Sequence, residues 1–489
     1  MEYLFFDYNS LIHPAAYQIL SANEDRYLKI ENEIERKFLI ENDIINNCIN
    51  YTRLIIATIQ AKNVYIMIDG VAPRSKMNQQ RERRYKSYFF KEFETGKSSL
   101  WDSNQITPGT EFMELLTKKL HEQFENVIIS DSNEPGEGEH KMMRVLQELT
   151  ITNTNKILIY GLDSDVIMLS LLNKHNNNII LIRDTDFGDS DSINYLNISE
   201  LKQYIYKDFK MKLNSDTIIN ESNFINDYIV ICFLLGNDFL DHLFCLHIKN
   251  GGVDIVLKAY IKAYIKNGCF LVNKTSSNWK EWLNLNVLKD IMYQLKNYED
   301  YYLKQNRKPY PIKGITQEQI NNYNENPESN LYFYNNLYNE SNNPLTFKQR
   351  YNIFYNTINI NDVCFNYIEG LYWILGYYNG HNITHNNWTW YYKYHTIPFC
   401  SDLFNYLNTH KVIDIQLEKN IPFTQLQQLS LVLPKYSFIK LFGNKLITKQ
   451  RDLFPDKLYV DINYKEYTWQ SKILFNNINE NINILFQKK

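Results

Sequence analysis

The stretch NVYIMIDGVAPRSKMNQQRERRYKSYF, residues 63–89, sets two signals side by side. Asn63–Asp69 is a short apolar run that ends in acid, which reads as a buried strand. From Ala72 the chain gathers cations over a segment long enough for a helix. The strand pattern recurs: EYLFFD ends at Asp7, KILIYGLDSD ends at Asp163 and Asp165, NVIIS reaches Ser130 and NIILI reaches Ile182. Amphipathic segments at 111–124 and 139–149 lie between these runs. Strands alternating with helices predict an α/β fold, a mostly parallel central sheet flanked by helices. Such sheets hold ligands outside the carboxyl ends of their strands. Asp7, Asp69, Asp163 and Asp165 all fall there. Farther on, FINDYIVICFLLGNDFL, residues 224–240, reads as a buried helix that ends at Gly236-Asn237-Asp238.

The 489 residues exceed one ordinary core. The expected division is a first unit over 1–255, a helical connection with an Asn/Tyr-rich insertion over 256–345, and an aromatic-rich, mainly helical segment over 346–489. Within the middle part the pattern breaks down from about Asn297 to Asn343, which reads as an irregular connection. Lys and Arg number 52 against 55 Asp and Glu, a net charge of −3, so a polyanion partner would need locally gathered cations. Six scattered cysteines without a CxxC pair argue against zinc and a disulfide framework, and for reduced thiols. No leader and no apolar run of roughly 20 residues is visible. The expectation is a soluble cytoplasmic chain without a membrane partner, since no dense basic run marks it for the nucleus.

The candidate acids are Asp7, Asp69, Glu137, Glu139, Asp163, Asp165 and Asp238. A single Asp at a strand end is ordinarily a helix cap. Several carboxylates at one end of one sheet repel one another, and a hard divalent cation removes that penalty. Oxygen-only ligands suit Mg²⁺ or Mn²⁺. Two such ions, roughly 3.5–4 Å apart, would serve phosphodiester cleavage. In PGEGEH, Gly136 and Gly138 would let backbone come close while Glu137 and Glu139 reach one site. On a helix, Lys76, Gln80, Arg83 and Arg84 are spaced i, i+4, i+7 and i+8, which is one face, and Arg81 and Glu82 turn away. That face suits a terminal phosphate dianion. A solvated helix face is the plain alternative, but it would carry interspersed acids, and only Glu82 interrupts the run.

The motifs IDGVAPRSKMNQQRERR, DSNQITPGTEFM, EPGEGEHKMM, YGLDSDVIMLSL, GNDFL, FNYIEGLYWILGYYNG, WTWYYKYHTIPFCSDL and FPDKLYVDINYKEYTWQ follow one another along the chain. In this order they resemble the XRN-type 5′→3′ exoribonucleases over nearly the whole length. The resemblance implies a PIN/FEN-like nuclease core in residues 1–255, completed by the aromatic-rich segment, and processive release of mononucleotides from single-stranded RNA with a 5′ monophosphate. It implies the seven acids as metal ligands, Lys76, Gln80, Arg83 and Arg84 as the 5′-phosphate pocket, His13 as a base-stacking residue and Trp390, in preference to Trp388, as its partner. It further implies a monomer that acts after a decapping enzyme. Departures are that Met1 stands almost at the first strand where the family has a helix, that Asp241 replaces a proline, that Ser10 and Ser164 replace other small residues, and that the chain stops soon after YTWQ, as a minimal catalytic core would. Two other readings share part of this pattern. A flap or structure-specific DNA endonuclease would have the carboxylates without the phosphate pocket or the aromatic segment. An inactive RNA-binding scaffold would have no reason to keep seven mutually repelling acids.

Overall fold

The computed structural model describes the chain except residues 96–99, 162, 185–186, 188–192, 214–219, 275, 277, 306–312, 328, 330, 335–346, 355–358, 382–385, 444–452, 456, 464, 466 and 476–489. Its first part runs β1 (Tyr3–Asp7), α1 (Asn9–Ala22), α2 (Glu24–Leu28), α3 (Glu33–Ile59), β2 (Asn63–Met67), α4 (Arg74–Thr95), α5 (Glu111–Gln123), β3 (Ile128–Ser130), α6 (Gly138–Glu148), β4 (Ile157–Tyr160), α7 (Ser164–Leu172), β5 (Ile179–Asp184), β6 (Ile193–Asn197), α8 (Ile198–Leu213) and α9 (Glu221–Phe233). The strands form one sheet in the order β3-β2-β1-β4-β5-β6. The first five are parallel and β6 is antiparallel at the edge.

Apolar residues alternate between the two faces of this sheet. Leu4, Phe6, Ile66, Leu158 and Tyr160 pack into one core with residues of α1, α3 and α5. Phe5, Met67, Ile157 and Ile159 pack on the other side with residues of α6 to α9. Each such side chain contributes about 1.5–3 kcal/mol relative to exposure. Strands buried on both faces are held rigidly, and their polar ends are therefore fixed in place. Chain order reverses direction between β1 and β4, the crevice where this topology places ligands.

The second core continues without a break into the later chain, through α10 (Gly252–Asn267), α11 (Leu285–Gln305) and, beyond α12 (Gln317–Glu325) and α13 (Phe347–Phe354), through α14 (Ile360–Tyr378) and the helix Cys400–Thr409. A second sheet pairs β7 (Leu331–Tyr334) in parallel with β8 (Leu458–Asp461), and β8 antiparallel with β9 (Lys472–Leu474). The reading of 297–343 as irregular is corrected here where that stretch is described. Helix α11 passes through Asn297 to Gln305, and β7 is a buried strand. Glu299, inside that stretch, is buried and accepts the backbone N–H groups of Cys400 and Ser401 at 3.0 and 3.4 Å, tying α11 to the next helix. Residues 306–312 and 335–343 of it lie outside the described residues. Among the described residues no helix is long and apolar enough to cross a membrane.

Asp227 on α9 is fully buried, and its pKa is pushed up to about 7 by desolvation against the hydrogen bonds it receives. It accepts the Tyr260 hydroxyl and the backbone N–H groups of Leu271 and Val272, each at 2.7 Å. Replacing it by alanine strands three buried donors, each worth about 1–3 kcal/mol. Asp227→Ala should therefore lower stability by about 3 kcal/mol or more, read as a shift of the urea midpoint with an unchanged m-value.

Candidate metal and phosphate site

Asp7 is the last residue of β1, Asp69 follows β2 and Asp163 follows β4, so three acids leave neighbouring strands at one sheet edge. Glu137 and Glu139 enter from the start of α6, Asp165 from the first turn of α7 and Asp238 from the loop after α9. Their electrostatic coupling joins all seven. Desolvation pushes Asp7 up to about 8, with help from Asp69 and Asp163. Desolvation, then Glu137, Asp7 and Asp165, holds Glu139 well above the usual carboxylate range, and desolvation with Asp69 raises Glu137 against the opposing charge of Lys76. Desolvation and Asp238 raise Asp165. Asp163 alone among the seven is exposed.

Local backbone explains the convergence. Gly138 N–H donates to Asp69 Oδ1 at 2.7 Å. A Cβ at Gly138 would stand 2.7 Å from the Met67 carbonyl oxygen and 3.2 Å from Asp7 Oδ1, so only glycine fits this approach. Gly136 takes φ +120°, outside the range of L side chains. The Asp69 N–H donates to Asn9 Oδ1 at 3.2 Å, and the Ser10 hydroxyl donates to Asp7 Oδ2 at 2.5 Å. Buried Lys141 donates to the carbonyls of Ile68 and Asp131 at 2.9 and 2.7 Å and so pins the loop beside Asp69. Desolvation lowers its pKa to about 8.

Helix α4 supplies the cations, with the facing read from the sequence. The Lys76 ammonium lies 2.5 Å from Glu137 and 2.7 Å from Asp238. Lys76 thus belongs to the carboxylate side of the site, neutralising two acids. It outweighs desolvation at Asp238, whose pKa ends below the usual range. Gln80 is buried, and its Oε1 has no hydrogen-bond partner. Arg84 donates to Thr107 Oγ1 at 2.7 Å, which explains the DSNQITPGTEFM segment, and desolvation followed by Arg83 lowers its pKa to about 9. Arg83 is exposed. His13 reaches the surface, yet its surroundings still desolvate the ring. Together with Arg83 and Arg84 they hold its pKa near 4, so the imidazole is neutral at pH 7. Two neighbouring guanidiniums beside a neutral ring favour an anion. Arg81 turns away, as expected, and donates to the carbonyls of Leu431 and Leu453.

Trp390 and Trp388 are both buried. Trp390 lies on Trp373 with ring centroids 5.0 Å apart, and its indole N–H donates to Glu369 at 2.9 Å. Its tip comes so near Gly370 that a Cβ there would be 2.9 Å from it. Trp390, the expected partner of His13 in base stacking, is thus packed in the aromatic core. Asp241 is exposed and paired with Lys472, which holds its pKa below the usual range against desolvation; it does not add to the acid cluster. Several contributors escape a reading of the sequence. The Tyr377 hydroxyl donates to Glu137 at 2.8 Å, the Tyr378 hydroxyl favours charge on Asp165, and Gln79 donates to Asp238 at 3.3 Å. His140 stacks on Tyr377 at 3.8 Å and groups with Glu137 and Glu139 as possible metal ligands. Only His140 had a visible signal, since it completes PGEGEH.

The donor set fits a hard divalent cation: carboxylate oxygens dominate, no thiolate takes part, and several acids are driven toward protonation by burial and then by one another. A model of the XRN 5′–3′ exonuclease N-terminus matches residues 1–185, and one of the Xrn1 helical domain matches residues 218–352 and 345–485. The chain belongs to the XRN 5′–3′ exonuclease family. It is 27% identical to the human 5′-3′ exoribonuclease 1, 26% to that of Saccharomyces cerevisiae and 28% to the 5′-3′ exoribonuclease 2 homolog of Drosophila melanogaster. Each alignment takes in 98% of this chain and, respectively, 32%, 40% and 64% of the relative. The chain therefore spans less than two thirds of these relatives' length.

Cation binding must displace the proton that Asp7 holds at neutral pH. Apparent Mg²⁺ affinity should rise with pH through about 8, with proton release at pH 7 that fades by pH 9. Calorimetry in buffers of different ionisation enthalpy would show this; equal heats in all buffers would contradict it. Tyr377→Phe removes a hydrogen bond behind a metal-facing acid and should weaken Mg²⁺ binding about 10–100-fold while leaving the fold intact, as read by the same titration and by circular dichroism.

Proposed function

We propose that the chain is a metal-dependent 5′→3′ exoribonuclease that takes single-stranded RNA with a 5′ monophosphate and releases 5′ mononucleotides. The observation that carries this reading is the arrangement around α4: Lys76 touches the acids, while Arg83 and Arg84 form a cationic rim with His13. A pocket for a chain end thus stands next to a cutting centre. The relatives' names point the same way.

Asp7, Asp69, Glu137, Glu139, Asp163, Asp165 and Asp238 would hold Mg²⁺ or Mn²⁺, two ions for this number of acids. When bound, such ions lower the pKa of a water and stabilise the leaving oxygen of a phosphodiester. The remaining work falls to the chain. Arg83 and Arg84 grip the terminal phosphate dianion with charge-assisted hydrogen bonds, and Gln80 adds an amide. Neutral His13 offers a ring to the first base without adding charge. Stacking of that kind is worth roughly 1–3 kcal/mol per base and tolerates any base. Tyr377 and Lys141 keep the acids and their loops in place. Hydrolysis of the bond between the scissile phosphorus and the 3′ oxygen of the first nucleotide frees that nucleotide with its own 5′ phosphate and a 3′ hydroxyl, and leaves the scissile phosphate as a new 5′ phosphate on the shortened RNA. That phosphate can enter the same pocket, so the reaction repeats. A triphosphate or cap carries bulk beyond the phosphate the pocket grips, which puts the enzyme, as a cytoplasmic monomer, downstream of a decapping enzyme.

The test is one RNA prepared with 5′ monophosphate, hydroxyl and triphosphate ends, with and without Mg²⁺. The monophosphorylated RNA should be degraded to mononucleotides at least tenfold faster than the other two, and only with the metal. Asp163→Ala with Asp165→Ala should abolish cleavage and spare RNA binding. Oligonucleotide products from branched DNA would point to a flap endonuclease, and RNA binding without cleavage in the unmutated chain would point to a scaffold.

A further inference from the structure

Helix α4 has a second face. Lys76, Gln80, Arg83 and Arg84 form the first. Arg74, Asn78, Gln79 and Glu82 form another, and this one lines a cavity of about 190 Å³ closed by the Asn237–Asp241 loop, the Tyr391–His395 segment and the strand Lys472–Leu474 with Phe475. By the ~10–15 Å³ that one water needs, it has room for about a dozen waters, the scale of a nucleoside monophosphate. Its exposed members Asp241 and Lys393 mark the side open to solvent.

The charges inside are unequally satisfied. Each of the three acids has a cation: Asp238 has Lys76, Asp241 has Lys472 and Glu82 has Lys86. Arg74 has none. Only 5% exposed, it stands in the first turn of α4, the positive end of the helix dipole. Its Nε and Nη1 have no hydrogen-bond partner, and its guanidinium lies 5.0 Å over the Tyr391 ring. A buried unpaired guanidinium is costly unless an anion completes it. Asn237 spends its oxygen on the N–H groups of Phe239 and Leu240, leaving its amide NH₂ free to donate. Gln79 spends its NH₂ on Asp238, leaving its oxygen free to accept. The walls add the flat rings of Tyr391, Tyr394 and Phe475.

These features match a nucleoside 5′-monophosphate group by group: a phosphate dianion for Arg74, ribose hydroxyls for the Asn237 amide and the Gln79 oxygen, and a base for the rings. We propose that this cavity is a binding site for the released mononucleotide, joined to the cutting centre through Gln79 and Asp238. The inference rests on the exoribonuclease reading, because a mononucleotide is what that reaction sets free.

The test is calorimetry of the full chain with AMP, UMP, adenosine and inorganic phosphate in EDTA, where no RNA chemistry takes part. AMP and UMP should bind, with adenosine and phosphate at least tenfold weaker. Arg74→Gln should weaken AMP binding tenfold or more, and so should Tyr391→Ala, which alters a partly exposed ring and keeps the test usable if the first variant does not fold. With Arg83→Gln and Arg84→Gln in place, which removes the 5′-phosphate grip, AMP should still bind, and adding Arg74→Gln should still weaken it tenfold or more. The proposal is overturned if AMP does not bind, if phosphate alone binds as tightly, or if AMP binding follows Arg83 and Arg84 instead of Arg74. Failure to digest RNA in the 5′-end series counts against the nuclease reading alone, because this titration contains no cleavage step.

Discussion

This site is governed by the burial of carboxylates close to one another, where lost solvation comes first and mutual repulsion adds to it. Left to itself such a cluster would protonate or spread, and Asp7 and Glu139 show how far it is pushed toward the first. The protein resists the second with rigid strands, a glycine approach that admits no Cβ, and the buried ammonium of Lys76 between Glu137 and Asp238. The result is a concentrated negative charge that a hard cation would relieve. The cation affinity proposed for this site would come from burial and repulsion that the fold holds in place.

Helix α4 joins that charge to a second set of groups. It reaches the acids with Lys76 and, about two turns on, carries Arg83 and Arg84 beside His13, so the spacing between acids and arginines is fixed by helical geometry. The later chain then holds the helix. Met77 packs among Leu429, Val432 and Phe438, and Tyr85 packs under the small second sheet. Ala72 N–H donates to Gln428 and Arg74 N–H to the Trp388 carbonyl, both at 2.8 Å. The aromatic-rich part of the chain is therefore part of the site's frame, and Tyr377 carries that frame directly to Glu137.

The sheet and the acids at its edge were legible because a parallel strand buried on both faces is a short apolar run, and a carboxylate at its end stands out against it. The helical face of Lys76, Gln80, Arg83 and Arg84 was legible from spacing alone, although spacing could not say that Lys76 would be drawn to Glu137 and Asp238. Tyr377 and Tyr378 were not legible. They end an apolar helix as core residues would, and their polar tips meet partners that only tertiary folding supplies, at a separation of 240 residues for Tyr377 and Glu137. The packing of Trp390 was not legible either, because the notch that receives it is made by Gly370 on another element. The stretch after Asn297 looked irregular because Asn and Tyr mask a helix whose one decisive residue, the capping Glu299, is polar.

Arg81 gives the arrangement a further property. Its guanidinium joins the middle of α4 to two carbonyls far along the chain. Heat or denaturant cannot loosen those later segments while leaving the helix seated, nor melt the helix while they stay docked. Catalytic geometry and tail docking therefore belong to one cooperative unit. A damaged molecule should lose the seating of α4 and the docking of these later segments together.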